Sequence, residues 1–256
     1  MNATSVLPDG GAIARKRLLS LPGEPLFYAN WDNVLFIHYE TDPEILRRCV
    51  PYQLDFFRGR AFVSLVAFTM RGMRPRMGGR LGEFLFKPIA THNFLNIRTY
   101  VRHRGESAIY FMREWLSNRL SVLLGPVTFG LPYRFGKIDY ERDYGELRGT
   151  VRAKEGSFAY HASLPAMDME ICEPGSLNEF LLERYTAFTQ SGKTKRFFRI
   201  WHEPWRQTPA EIKIVADDLI DGDWRANAEI AGANFSPGVD VWMGWLHRIR
   251  GLGLGL

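Results

Sequence analysis

The chain has 256 residues, 46% of them hydrophobic, and its 18 Phe, 10 Tyr and 7 Trp can fill a core without metals or disulfides. Its net charge of +5 comes from scattered basic residues, which argues against a nucleic-acid-binding domain. It has no run of about 18 apolar residues, which argues against a membrane-spanning helix. Its two cysteines, Cys49 and Cys172, lack metal-ligand spacing, which argues against a zinc site or a disulfide scaffold.

The N-terminal part of the chain predicts an arm, a strand and a short helix. Residues 1–30 carry proline and glycine and are expected to form a loose arm. The stretch VLFIHYE, residues 34–40, predicts a strand. A short helix follows in TDPEILRRCV, where Thr41 and Glu44 have the spacing of a capping box and Pro43 lies in the first turn.

The next segment combines a buried strand with a basic loop. AFVSLVAFTM, residues 61–70, is apolar on both faces and predicts a buried strand. RGMRPRMGGR, residues 71–80, places four arginines among glycine and proline. We predict a mobile loop there.

The stretch FLNIRTYVRHRGESAIYF, residues 94–111, predicts a hairpin whose first strand has two different faces. Leu95, Ile97, Thr99 and Val101 form one face, and Phe94, Asn96, Arg98, Tyr100 and Arg102 form the other. A buried Arg98 would need an anion or several acceptors, and with Asn96 and Tyr100 it would suit a small carboxylate or an enol-like ligand. If this face is outside, Arg98 is an ordinary solvated residue, and alternation alone leaves both alternatives open.

Two helices and a second hairpin are predicted in the second half. SNRLSVLLGP predicts a helix that Ser117 caps and that Gly125-Pro126 ends, and residues 146–164 resemble a hairpin. SLNEFLLERYTAF, residues 176–188, gives the clearest helix, with Ser176 and Glu179 as a capping box. On it, Glu183-Arg184-Tyr185 is expected to form a solvated ion pair.

The chain has many predicted strands, few helices and no βαβ alternation. This pattern predicts an α+β fold with a mainly antiparallel curled sheet or barrel and a few short helices. We expect one domain over residues 31–245 and a C-terminal tail over residues 246–256.

The usual catalytic motifs are missing. We find no Gly-rich phosphate loop and no nucleophile elbow, and the histidines do not pair at metal-ligand spacing. A histidine inside a predicted strand, such as His38, is expected to be a satisfied core residue. We therefore predict that the protein binds neither a metal nor a cofactor. We also expect it to lie in the cytoplasm and to have no nucleic-acid or membrane partner. Whether it self-associates is left open.

Several segments together carry a family resemblance. They are NFLNIRTYV, IYFMREWLSNRLSVLLGP, GLPYRFGKIDY, FLLERY, HEPW and FSPGVDVW, in that order. Between Trp31 and Trp242 the chain resembles the YqjF-like domain-of-unknown-function family 2071, in the acetoacetate decarboxylase-like superfamily. The resemblance implies an antiparallel sheet curled around a central cavity, which favours Arg98 facing that cavity.

The same resemblance identifies a missing lysine. Decarboxylases of the superfamily use a Schiff-base lysine directly after a Gly-x-Pro turn, and here Gly130-Leu131-Pro132 is followed by Tyr133. Tyr133 could donate to a ligand oxygen or pack as a structural ring, and Glu114 is the nearest carboxylate in sequence. The candidate ligand-binding residues are Phe68, Asn96, Arg98, Tyr100, Tyr110, Glu114 and Tyr133.

Three functions remain as hypotheses. The first is a protein that binds a small organic acid or an enolisable metabolite in a barrel cavity without the lysine. The second is an enzyme on the same cavity, a lyase without a Schiff base, a hydratase or an isomerase, that uses Arg98, Tyr133 and Glu114. The third is a protein that binds a protein or nucleic-acid partner through its basic surface.

Overall fold

A computed structural model of the chain describes residues 23–166 and 168–249, with only the backbone of residues 126–128 and 191. Most of the expected arm and the end of the expected tail lie outside these residues. The first described strand begins at Pro25, so the last part of the expected arm is strand.

The described residues are mostly strand. The strands are β1 (Pro25–Thr41), β2 (Gln53–Leu54), β3 (Ala61–Pro75), β4 (His92–His103), β5 (Glu106–Leu116), β6 (Tyr133–Phe135), β7 (Lys137–Asp143), β8 (Glu146–Ala153), β9 (Gly156–Ser163), β10 (Glu170–Ile171), β11 (Thr186–Ser191), β12 (Thr194–His202), β13 (Arg206–Pro209), β14 (Glu211–Ala216), β15 (Glu229–Gly244) and β16 (His247–Arg248). The helices are α1 (Pro43–Cys49), α2 (Gly79–Phe86), α3 (Arg119–Thr128) and α4 (Leu177–Leu182), with 3₁₀ turns at Lys87–Ile89 and Asp223–Arg225.

The larger sheet curls into a ring. Its strands neighbour one another in the order β15, β1, β3, β4, β5, β11 and β12, and β12 pairs back onto β15 through Ile200 with Met243 and Trp201 with Trp242. The neighbours are antiparallel except for β5 and β11. The predicted α+β fold with a curled, mainly antiparallel sheet is confirmed. Closure of the ring is what creates an interior.

Strand β4 separates two clusters of buried side chains, and its residues divide between the two faces as alternation predicted. Leu95, Ile97 and Val101 pack in an outer cluster that includes Phe158 of β9, in the four-stranded sheet β14-β9-β8-β7. Phe94 and Tyr100, on the other face, belong to the cluster inside the ring. Both faces of this strand are therefore buried.

Both predicted hairpins form, one between β4 and β5 and the other between β8 and β9. The cap of α1 differs from the prediction, because the carboxylate of Asp42 accepts from the backbone N–H groups of Glu44 and Ile45. Thr41 instead donates its hydroxyl to the carbonyl of Trp224, 2.6 Å away. The basic loop predicted at residues 71–80 is also wrong in part, because β3 continues to Pro75 and α2 begins at Gly79.

The two later helices have other bounds than expected. Asn118 rather than Ser117 caps α3, because its side-chain oxygen accepts from the backbone N–H of Ser121, and the helix continues past Gly125 to Thr128. Ser176 does cap α4, as predicted, but α4 ends at Leu182 because the chain then enters β11. No helix among the described residues exceeds 10 residues, about half of what a bilayer-spanning helix needs.

Candidate functional site

The ring encloses a cavity of about 140 Å³. Strands β1, β3, β4, β5, β12 and β15 all contribute side chains to its wall, and helix α3 closes one side. Aromatic rings dominate the lining, and the rings of Phe68 and Phe94 stack with their centroids 4.9 Å apart. Such a wall would suit a compact apolar body.

Two polar side chains face each other across β4 and β5 in this apolar wall. Asn96 and Glu114 are register partners, line the cavity, and are only 4% and 3% exposed. The Oδ1 atom of Asn96 and the Oε2 atom of Glu114 are buried without a hydrogen-bond partner. Buried polar atoms normally have hydrogen-bond partners, so these two atoms are available for hydrogen bonds with a ligand.

The titratable groups of the lining are driven to their uncharged forms. Burial raises the pKa of Glu114 well above its usual range. Burial, with the adjacent Glu114, raises the pKa of the Tyr133 phenol. Burial lowers the pKa of His92 to about 4, against the opposing effect of the Ile89 carbonyl.

No arginine or lysine lines the cavity in the part of the chain that the structure describes. Burial favours the protonated form of Glu114 and the neutral form of His92, so the cavity presents hydrogen-bonding groups in an environment that disfavours charge. This chemistry suits an uncharged ligand with an apolar body and one or two polar atoms.

Arg98 is inside the ring, as the resemblance led us to expect, but it does not line this cavity. Its Nη2 atom donates to the carbonyl of Leu181 on α4, 3.1 Å away, and its guanidinium lies over the ring of Phe36. Tyr100 donates its hydroxyl to the same carbonyl at 2.9 Å. Arg98 and Tyr100 are thus both hydrogen bonded to helix α4.

A chain of buried hydrogen bonds extends from this point. Tyr100 and Ser64 are hydrogen bonded at 2.6 Å, and Ser64 contacts His38 Nδ1 at 2.7 Å. The other ring nitrogen of His38 contacts Asn234 at 3.1 Å, so the prediction of a satisfied core histidine is confirmed. Burial and the charge of Arg98 lower the pKa of His38 to about 3, which keeps it neutral.

The structure brings together four of the seven predicted site residues, namely Phe68, Asn96, Glu114 and Tyr133. Tyr110 lies on the outer face of the ring, where its ring contacts that of Tyr52 at 5.5 Å. This follows from the period of two along β5, which places Phe111 in the cavity and its neighbour outside.

Sequence reasoning missed His92, Ser121 and Gly125, which also line the cavity. His92 could have been found, because it has the same parity along β4 as Phe94 and Asn96. Ser121 and Gly125 come from α3, and no pattern in the sequence indicated which side of that helix would cover the ring.

The solvated ion pair expected at Glu183-Arg184 is wrong, because both residues are buried and Arg184 pairs with Asp55 instead. Arg184 donates from Nη1 to the carboxylate of Asp55 at 3.1 Å, and Arg102 donates to the same carboxylate at 2.9 Å. Glu183 accepts from the backbone N–H of Trp205 at 2.9 Å. These groups hold the segment after α4 against the ring.

We expect a Glu114→Gln variant to differ from the native protein in the pH dependence of its stability. A raised pKa in the folded state means that the folded protein binds more protons than the unfolded chain, so native stability falls as the pH rises above the ordinary value of 4.5. The loss can reach about 1.4 kcal/mol per pH unit until the folded-state pKa is passed. The glutamine of the variant cannot ionise, so the variant lacks this slope.

Urea unfolding of both proteins between about pH 5 and pH 8 measures the difference. The gap in unfolding free energy should move in favour of Glu114→Gln as the pH rises. Two curves that stay parallel would show that Glu114 is ionised in the folded protein.

The family and sequence comparisons agree with one another. Residues 28–240 match the family model DUF2071, described as an uncharacterized conserved protein. The chain is 30% identical over 213 residues to the uncharacterized protein YqjF of Bacillus subtilis (strain 168), a match that covers 81% of this chain and 86% of YqjF.

Three solved structures illustrate which known proteins have a similar fold. An acetoacetate decarboxylase-like enzyme from Sphingomonas wittichii RW1 matches with a TM-score of 0.61 and 15% identity, over 90% of this chain and 95% of that one. Acetoacetate decarboxylase from Legionella pneumophila gives 0.61 and 14%, over 98% of each chain. The enduracididine biosynthesis enzyme MppR, complexed with pyruvate, gives 0.60 and 14%, over 90% and 92%. At these identities the likeness establishes the fold alone.

Proposed function

Because the chain belongs to the DUF2071 family of uncharacterized conserved proteins, whose fold here is acetoacetate decarboxylase-like, we propose that its ring cavity binds a small, uncharged, enolisable carbonyl metabolite. The observation that carries this proposal is the pair of unpartnered buried atoms, Asn96 Oδ1 and Glu114 Oε2, in an otherwise apolar wall. A protonated Glu114 can donate to a carbonyl oxygen, and Asn96 can accept from an enol hydroxyl.

The uncharged lining favours a ketone over a carboxylate. A carboxylate in this cavity would lack a cationic partner among the described lining residues, and an unpaired buried charge is costly. Among the fold neighbours, MppR is complexed with pyruvate, which is a small enolisable carbonyl compound. We carry over to this chain the carbonyl group of that ligand and not its charge.

We propose that binding involves no Schiff base. Tyr133 occupies the position where the resemblance places the reactive lysine, and no lysine lines the cavity in the described residues. Of the seven lysines, five are exposed and Lys195 is partly buried, with its ammonium over the Tyr52 ring; Lys16 lies outside the described residues.

Three probes of similar size test the proposal by calorimetry or ligand-observed NMR. Acetophenone has an apolar ring, one carbonyl and an enolisable methyl group, benzoate carries a carboxylate in its place, and ethylbenzene has neither. We expect acetophenone to bind best, with ethylbenzene weaker by about fivefold to tenfold for the lost hydrogen bond. Preferential binding of benzoate would overturn the uncharged-ligand proposal.

The Tyr133→Phe variant tests the site itself. If the phenol donates to the bound carbonyl, its loss should weaken acetophenone binding by about fivefold, while Tyr110→Phe on the outer face should change nothing. An equal effect of the two substitutions would remove Tyr133 from the site.

A second candidate function is proton transfer on the same ligand. The pKa of Glu114 is raised and that of His92 is lowered, so a carboxylic acid and a neutral imidazole share one cavity. Glu114 would protonate the carbonyl oxygen as His92 removes an α-proton, which is the first step of an isomerase or of a lyase without a Schiff base. If the protein accelerates exchange of the acetophenone methyl protons in D₂O, and Glu114→Gln does not, proton transfer is supported. If exchange with the protein is no faster than in buffer, binding is the only function that remains.

A further inference from the structure

A group of large apolar side chains is exposed on helices α2 and α3 and on the turn before α2. The group consists of Met77, Leu81, Phe84, Leu85, Leu120, Leu123 and Leu124, and we name it the helix patch. Met77, Phe84 and Leu123 are 80%, 70% and 72% exposed. A soluble monomer seldom exposes so many large apolar side chains together, so this surface needs an occupant.

The two helices form one surface over the cavity. Both pack against the 3₁₀ turn at Lys87–Ile89, and the side chain of Asn118, just before α3, donates to the carbonyl of Pro88 at 2.7 Å. Their other sides line the cavity, through Phe86 of α2 and through Ser121 and Gly125 of α3. Leu124 belongs both to the helix patch and to the cavity lining, because it lines the cavity and is 42% exposed.

Basic residues lie beside the helix patch. Among the five basic residues of the segment 71–87, Arg71, Arg74 and Arg76 form ion pairs with Asp32, Glu83 and Glu24. The positive charge beside the helix patch therefore comes from Arg80 and Lys87, and from Arg119 at the start of α3. Arg80 and Lys87, at the start and just past the end of α2, are both exposed. Protruding apolar side chains with basic residues beside them are typical of helices that lie at the surface of a membrane.

We propose that the helix patch docks onto a bilayer surface that carries anionic lipids. Its apolar side chains would enter the boundary between headgroups and acyl chains, and the basic residues would contact the headgroups. A second copy of the chain fits less well, because a two-fold interface would place the same basic surfaces against each other. The inference does not depend on which ligand occupies the cavity.

Co-sedimentation of the native protein with vesicles tests the proposal. We expect binding to vesicles of phosphatidylcholine and phosphatidylglycerol, and little binding to phosphatidylcholine alone. A Phe84→Ser, Leu123→Ser double variant should lose about tenfold or more of this binding, since each side chain would leave an apolar environment. An Arg80→Gln variant should weaken binding by about fivefold, as expected for one basic contact.

The matched control is Tyr144→Ser, Val215→Ser, which removes two exposed apolar side chains near the four-stranded sheet and should bind as the native protein does. Circular dichroism establishes that all variants are folded. Absence of native binding to the anionic vesicles, or equal losses in the two double variants, would overturn the proposal. Self-association in solution that Phe84→Ser, Leu123→Ser abolishes would also overturn it, and would assign the helix patch to a second copy.

Discussion

Replacement of Asp55 by alanine is expected to lower the free energy of unfolding by about 3–5 kcal/mol, because it leaves a buried guanidinium without its counter-ion. Arg184 is 7% exposed, and its salt bridge with Asp55 joins two side chains that are both buried. Burial already lowers the pKa of Arg184 to about 10, against the opposing effect of Asp55. Without that carboxylate, the desolvation cost of the charge remains and its compensation is lost.

A matched variant separates this effect from the loss of any surface ion pair. Asp32 accepts from Arg71 at 2.6 Å in a pair whose arginine side chain is 60% exposed. The Asp32→Ala variant should therefore lose less than about 1 kcal/mol. Urea unfolding measures both, and similar losses for Asp55→Ala and Asp32→Ala would mean that water reaches the Arg184 guanidinium.

The Gly125→Ala variant should reduce acetophenone affinity by about tenfold or more while the fold survives, since the added methyl group changes the shape of the cavity. A Cβ atom at this position would overlap the ring of Tyr133, so the phenol must leave its place in the lining. Alanine in a helix is favoured over glycine by about 1 kcal/mol, which partly offsets the strain. The variant is thus expected to lose binding more than stability.

Ser121→Ala is the control for this variant, because Ser121 lies one helical turn earlier and lines the same cavity. It removes one oxygen atom and adds no overlap, so acetophenone binding should stay within about threefold of native. If Gly125→Ala binds as well as Ser121→Ala does, the ring of Tyr133 is free to move without cost and does not shape the cavity.

The sequence predicts most of the strands and the two faces of β4. Successive side chains of a strand point to opposite faces, so each residue of β4 could be assigned to one face. The same rule assigns Asn96 and His92 to the face of Phe94, and the family resemblance indicated that this face lies towards the cavity. The helix predicted to continue beyond Leu182 was wrong because Thr186–Ser191 pairs with both β5 and β12. Tertiary pairing there outweighs a helical apolar stripe that local propensity favours.

The role of Arg98 was beyond reach of the sequence for a different reason. The family resemblance favoured a position inside the ring, but the acceptor of Arg98 is the carbonyl of Leu181, 83 residues further along the chain. Backbone carbonyls occur at every position, so nothing in the residue types shows which one a guanidinium will meet. The arginine that first suggested a carboxylate clamp instead holds α4 in place.

Strand β4 contributes Leu95, Ile97 and Val101 to the outer hydrophobic cluster and His92, Phe94 and Asn96, which have the opposite parity, to the cavity wall. An insertion or deletion of a single residue within it would exchange the two sets, moving Leu95 and Ile97 into the cavity and Asn96 into the core. Changes in the chemistry of the cavity wall are therefore expected to arise by replacement of side chains on this strand, and changes of length are expected only in the helices and loops that cover the ring.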